Sequence, residues 1–158
     1  MINTREHQCK ILLVDDDPSV RNILSLLIEF DGHQVQTVEN GEAALVRLEQ
    51  NEFDLVITDY LMPGMKGDQL AALIKQRRPD QPVIMASGSF ANSNDGNSIT
   101  GVDCLLNKPF SMTELREAIK WVLSLYADSR QGRTHDLPGP HLAESDNTKH
   151  TPDDRLTP

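Results

Sequence analysis

Short apolar runs recur along the chain at intervals too long for hairpins, and this pattern constrains the fold more than any other feature. Residues Ile11 to Val14, Gln34 to Val38, Asp54 to Thr58, Pro82 to Ala86 and Cys104 to Leu106 read as strands, with stretches of helical spacing between them. Strands that are apolar on nearly every residue suit a sheet covered on both faces, whereas the alternating run from Gln34 suits an edge. Strand and helix taking turns is the signature of a parallel sheet with helices packed on it. At 158 residues the chain is long enough for one such domain with a real core, and too short for two of ordinary size.

Val20, Ile23, Leu24, Leu27 and Ile28 follow the spacing of one helix face, with Pro18 just inside the start and Gly32 just past the end. Weaker stripes run through Ala44, Leu45 and Leu48 and through Leu70, Leu73 and Ile74. The stretch "SMTE" predicts a capping box in which Ser111 accepts from the Glu114 backbone and Glu114 reaches back. The helix behind it should bury Leu115, Ala118, Ile119, Val122 and Leu123. Residues 89–103 are rich in Asn, Ser and Gly, so a helix there is expected to be short, frayed or absent. From Ala127 onward four prolines, two glycines and almost no periodicity predict a disordered polar tail. The expected organisation is therefore a folded domain over 9–126 and a tail over 127–158.

A formal charge of −9 argues against a nucleic-acid-binding surface, since phosphate neutralisation needs clustered Lys and Arg, so nucleic acid is not expected as a partner. No apolar stretch approaches a membrane span or a signal-peptide core, which predicts a cytoplasmic protein without membrane insertion. Cys9 and Cys104 lie in no metal or redox spacing and read as reduced thiols. His135, His141 and His150 fall in the polar tail without ligand spacing, and Met62, Met65 and Met85 read as packing residues.

In an open parallel sheet, ligands bind outside the carboxyl ends of the strands. Asp15, Asp16 and Asp17 follow the first strand, Asp59 the third, Ser87 the fourth, and Lys108 and Pro109 the fifth. Carboxylates converging there repel unless a cation joins them. Carboxylates with a backbone carbonyl and water describe a Mg²⁺ site, since Mg²⁺ is hard and keeps part of its hydration shell. Lys108 adds a positive charge and Ser87 a hydroxyl donor, a set suited to a phosphoryl group in transfer, with Asp59 as nucleophile.

The segments "ILLVDDDPSVR", "DLVITDYLMPGMKG", "VIMASGS" and "LLNKPF", in that order, resemble the receiver domain of two-component response regulators over roughly residues 9 to 126. The resemblance implies a flavodoxin-like, doubly wound α/β fold with strand order 2-1-3-4-5. It also implies a stand-alone regulator like those of chemotaxis. By it, Asp59 is the phosphoacceptor, and Asp15 and Asp16 hold Mg²⁺ with Asp59 and the carbonyl of Leu61. Ser87 is the switch hydroxyl and Lys108 the phosphate-pairing lysine, before a cis peptide to Pro109. Asp17 fits a helix cap, and Pro63 and Gly67 shape the loop that keeps Asp59 accessible. The donor implied is a sensor histidine kinase or a histidine phosphotransfer protein, and the output is contact with a downstream protein; whether the chain pairs with itself is open. Such a protein is not an enzyme beyond its own phosphorylation and dephosphorylation.

Three other readings share parts of this pattern: a phosphorelay intermediate that hands the phosphoryl group onward, an interaction module that is never phosphorylated, and a haloacid dehalogenase-type phosphatase with Asp15 as nucleophile. The last leaves Asp59 idle and lacks a later acidic motif. Two departures from the family pattern stand out. Leu105 replaces a frequent aromatic residue three before the lysine, which points to movement of residues 89–103 in place of ring rotation. Leu61 and Ser89 stand at the positions that tune phosphoryl loss, and Leu61 cannot orient water, so modest self-dephosphorylation is expected.

Overall fold

The computed structural model describes residues 8–88 and 99–130. Strands β1 (Lys10–Val14), β2 (Gln34–Val38), β3 (Leu55–Asp59), β4 (Val83–Ser87) and β5 (Cys104–Asn107) alternate with helices α1 (Pro18–Phe30), α2 (Gly41–Gln50) and α3 (Gly67–Arg77), and α4 (Met112–Arg130) closes the fold. All the strands pair in parallel, in the order β2-β1-β3-β4-β5. The alternating strand β2 is an edge, as its pattern predicts. Among the described residues no helix is long and apolar enough to cross a membrane.

The period-two alternation of the strands divides the core in two. Ile11, Leu13, Leu55, Ile57, Ile84 and Leu106 point to one face, where Leu24 and Ile28 of α1 and Leu115, Ala118, Ile119 and Val122 of α4 cover them. Leu12, Val14, Val56, Val83 and Met85 point to the other, against Ala44 and Leu48 of α2 and Leu70, Ala71 and Ile74 of α3. Each fully buried Leu or Ile contributes about 1.5–3 kcal/mol over its exposed state, so the sheet is rigid where the strands end.

Local chemistry fixes where the helices begin. The Asp17 carboxylate accepts from Ser19 N–H at 2.7 Å and from Val20 N–H at 3.4 Å, with Pro18 in the first turn. Asn40 accepts from Ala43 N–H at 2.8 Å. The capping box is present: Glu114 N–H donates to Ser111 Oγ at 3.2 Å, and Ser111 N–H donates to the Glu114 carboxylate at 2.6 Å. That backbone bond is the main reason the Glu114 carboxyl lies below its usual range. Arg78, just past α3, donates to the carbonyls of Leu48 and Asn51 and so ties the ends of α3 and α2 together.

Two expectations are corrected. Ile23 does not join the buried face of α1; it is 59% exposed and lines up with Leu26 and Phe30 on the outer side. The helix carries more apolar residues than one face can hold, and Leu24 and Ile28 occupy the sheet side. The last helix also runs to Arg130, past the expected boundary at residue 126, because nothing from Ala127 to Arg130 breaks a helix. The rest of the expected tail and residues 89–98 lie outside the described residues.

Asp103, just before β5, is a junction of four elements. Its carboxylate accepts from Lys75 Nζ of α3 at 3.0 Å, from Val83 N–H at 2.7 Å and from the Tyr126 hydroxyl of α4 at 2.8 Å. Burial, then the hydrogen bond and charge of Asp103, hold the Tyr126 phenol well above its ordinary value of 10.0. In the unfolded chain the phenol ionises first, so its contribution to stability is complete below pH 10 and is lost as pH rises toward the folded value. Urea midpoints should therefore fall from pH 9 to pH 11 more steeply in wild type than in Tyr126→Phe. Equal slopes would remove Tyr126 from the alkaline transition.

Candidate functional site

Three strands deliver the central charges to one edge of the sheet. Asp15 follows Val14 at the end of β1, Asp59 closes β3, and Lys108 follows β5. Because β1 and β3 are neighbours, in register from Ile11↔Leu55 to Val14↔Thr58, the two carboxylates come out side by side. Lys108 Nζ donates to Asp59 Oδ1 at 2.6 Å and to Asp15 Oδ2 at 3.2 Å. The side chains of Asp15 and Asp59 are only 5% and 11% exposed, and that of Lys108 30%, so the bridge is poorly screened by water. Burial pulls the Lys108 ammonium down, but the hydrogen bond and charge of Asp59 and the charge of Asp15 more than offset this and hold it above its usual value.

Ser87 ends β4, one strand from Asp59, with Asp59 paired to Ala86 in the ladder. It is buried, and its carbonyl accepts from Lys108 N–H at 2.8 Å, which ties β4 to the residue after β5. The Lys108–Pro109 peptide is cis, as expected. Asp17 caps α1 and does not face the site. Asp15 Oδ1 accepts from Asp17 N–H at 2.9 Å, so the acidic loop is folded on itself, while Asp16 between them is exposed.

The loop after Asp59 is shaped by close approach. Gly67 N–H donates to the Tyr60 carbonyl at 2.9 Å, and a Cβ on Gly67 would stand 2.2 Å from the Asp59 carbonyl oxygen. Gly64 supplies a positive φ of 79° in the same turn. Leu61, two residues past Asp59, is 55% exposed. Thr58 is fully buried beneath, its hydroxyl donating to the Asp59 carbonyl at 3.0 Å.

The structure thus brings Asp15, Asp59 and Lys108 into contact and sets Ser87 one strand away. Sequence reasoning missed Arg21, whose guanidinium donates to the Asp15 carbonyl at 2.6 Å. Its only signal was a cation in the first turn of a helix. The thiols take no part: burial, then the charge of Asp103, push Cys104 up to about 11, and burial and the charge of Asp54 raise Cys9. Both are free.

Among the described residues no three His, Cys, Asp or Glu side chains form a ready-made metal cage. Mg²⁺ does not need one: it takes one or two carboxylates and keeps several waters. Two converging, nearly buried carboxylates beside an exposed third, all oxygen donors, fit that ion.

The family model for the response regulator receiver domain matches residues 11–120. The response regulator FleR of Pseudomonas aeruginosa is 38% identical over 112 residues, 70% of this chain and 24% of that protein. The heme response regulator HssR of Staphylococcus aureus is 38% identical over 120 residues, 75% of this chain and 52% of its own length. The chain therefore spans a quarter to about half of these curated relatives. Among solved structures, the response regulator TrrA of Thermotoga maritima, in complex with Mg²⁺ and BeF, is 33% identical with a TM-score of 0.66 and covers 72% of this chain and 97% of its own. A CheY-like receiver domain from Methanospirillum hungatei is 28% identical with a TM-score of 0.71, over 77% of this chain and 98% of its own.

A methyl at position 67 must push the Asp59 backbone away. Gly67→Ala is expected to cost about 1–3 kcal/mol, as overpacking does. Gly88→Ala, whose added carbon meets nothing within 4 Å, should be close to neutral. Chemical denaturation of the two variants checks this, and equal midpoints would contradict it.

Proposed function

The chain belongs to the response regulator receiver domain family, and from that premise we propose that Asp59 accepts a phosphoryl group from the phosphohistidine of a sensor histidine kinase or a histidine phosphotransfer protein. The observation that carries this reading is the Lys108 ammonium held between Asp15 and Asp59 at the carboxyl edge of the sheet. A nucleophile must have a free oxygen lone pair and a nearby positive charge to receive the incoming oxygens, and Asp59 has both.

In the transfer, a carboxylate oxygen of Asp59 attacks phosphorus, the P–N bond of the phosphohistidine breaks, and its electron pair stays on the imidazole nitrogen. The product is an aspartyl phosphate. Lys108, already beside Asp59, exchanges its carboxylate contact for a phosphoryl oxygen, and Ser87 offers its hydroxyl from the next strand. Asp15, Asp16, Asp59 and the carbonyl of Leu61 would hold Mg²⁺. That ion, when bound, supplies the positive charge that offsets the equatorial oxygens of the transferring group.

Ile23, Leu26 and Phe30 form an exposed apolar stripe on α1, the helix that starts at the acidic loop. An exposed apolar surface of this kind favours a protein as donor. The output we assign to contact with a downstream protein in the cytoplasm.

Intact mass after incubation with acetyl phosphate and Mg²⁺ tests the acceptor. Wild type should gain one phosphoryl group, and Asp59→Asn or chelation of the metal should abolish the gain. No gain from any donor would favour an interaction module that is never phosphorylated. A gain that survives Asp59→Asn but not Asp15→Asn would favour a phosphatase.

The lifetime of the aspartyl phosphate is a second test. An exposed aliphatic side chain at Leu61 cannot position an attacking water, so decay in Mg²⁺ should take minutes or longer, and Leu61→Asn should shorten it. A wild-type lifetime of seconds would contradict this.

A further inference from the structure

Arg21 is placed against its own helix. It is the fourth residue of α1, and its N–H donates to the Asp17 carbonyl at 3.0 Å in the first helical bond. The N-terminal turn of a helix carries partial positive charge, so a cation there is slightly unfavourable. The side chain folds back across the turn and donates Nη1–H to the Asp15 carbonyl at 2.6 Å. A charge-assisted bond of that length more than offsets the dipole.

The Asp15 carbonyl belongs to the peptide that leads into Asp16. On the other side of Asp16, the Asp17 N–H is held by Asp15 Oδ1 at 2.9 Å, and the Asp17 carboxylate is fixed on the Ser19 and Val20 N–H groups. Both peptides flanking Asp16 are thus anchored, one of them by Arg21. Asp16 is exposed, so its carboxylate direction follows from those two peptide planes and not from packing. The β1 ladders with β2 and β3 both end at Val14, and the Asp15 carbonyl beyond them is held by Arg21.

We propose that Arg21 is a positioning residue of the acidic loop, fixing the Asp15–Asp16 peptide so that the Asp16 carboxylate is aimed for Mg²⁺ before the ion arrives. The inference rests on the reading of Asp15 and Asp16 as the Mg²⁺ pair. Groups that orient metal ligands are worth roughly ten- to a hundredfold in metal affinity. The charge of Arg21 acts in the opposite sense, because a nearby cation repels Mg²⁺. Orientation and simple charge therefore predict changes of opposite sign when Arg21 is removed.

Titration calorimetry of Mg²⁺ into the full chain separates them. Arg21→Ala should bind Mg²⁺ about tenfold more weakly, and Arg21→Lys, which keeps a charged donor of similar reach, should recover most of the loss. In metal-free protein the Asp16 and Asp17 amide signals should broaden in Arg21→Ala and stay sharp in Arg21→Lys. Unchanged or tighter binding by Arg21→Ala overturns the proposal, as does loss of affinity in Arg21→Lys equal to that in Arg21→Ala. Should Arg21→Ala unfold at the assay temperature, Arg21→Gln is measured against the same expectation. Asp16→Asn checks the premise: if wild type binds no Mg²⁺, or Asp16→Asn binds as wild type does, the Mg²⁺ pair itself fails and the role of Arg21 with it.

Discussion

Asp15 and Asp59 end neighbouring strands, and their carboxylates would face each other across a few ångströms were the Lys108 ammonium not between them. Unit charges about 4 Å apart interact by about 4 kcal/mol at the effective dielectric of a protein edge. Desolvation takes back much of such a gain, so the bridge is a modest net contributor while whole. Broken, it is another matter: without the lysine, two nearly buried carboxylates lose their shared partner. The site is thus held by a requirement for positive charge. One ammonium against two carboxylates leaves the cluster anionic, a charge that favours a further cation beside it.

That bridge spans β1, β3 and β5, and it can form only if those strands are rigid and correctly ordered. The order β2-β1-β3-β4-β5 puts the strands of Asp15 and Asp59 side by side. The double covering of the sheet supplies the rigidity: each strand commits alternate residues to two separate cores, so a one-residue slip would put every residue on the wrong face. The Ser87 carbonyl bond to Lys108 N–H then carries β4 into the same frame. Fold and site are coupled through strand register more than through any contact within the loops.

Much of this is legible in the sequence because strand ends are marked by abrupt changes from apolar to acidic or basic residues. "ILLVDDD", "LVITD" and "LLNK" show where a strand stops and what it presents. The caps are equally local, as Asp17 and the Ser111–Glu114 box illustrate. What was not legible depends on tertiary choice. Spacing gives α1 two apolar stripes, and only packing decides that Leu24 and Ile28 face the sheet while Ile23 faces outward. The back-bond of Arg21 to Asp15 and the convergence of Lys75 and Tyr126 on Asp103 join side chains whose types say nothing about partners. The length of α4 was missed because a polar segment can continue a helix once an amphipathic face has anchored its first turns.

Leu105 bears on how the site could report its state. A ring that rotates inward behind the hydroxyl needs an aromatic residue there; a half-buried aliphatic side chain packed against the core that includes Met85, its partner in the ladder, has no such motion to offer. The chain just ahead of it is tied down. A Cβ on Gly101 would lie 2.8 Å from the Ala71 carbonyl oxygen, so that backbone sits directly on α3, at a φ of 86° that glycine adopts without strain. Asp103 is bonded to Lys75, Val83 and Tyr126 two residues later. Gly88, by contrast, is exposed and has open space around its Cα. Among the described residues of the connection from β4 to β5, those entering β5 are thus fastened to α3, β4 and α4.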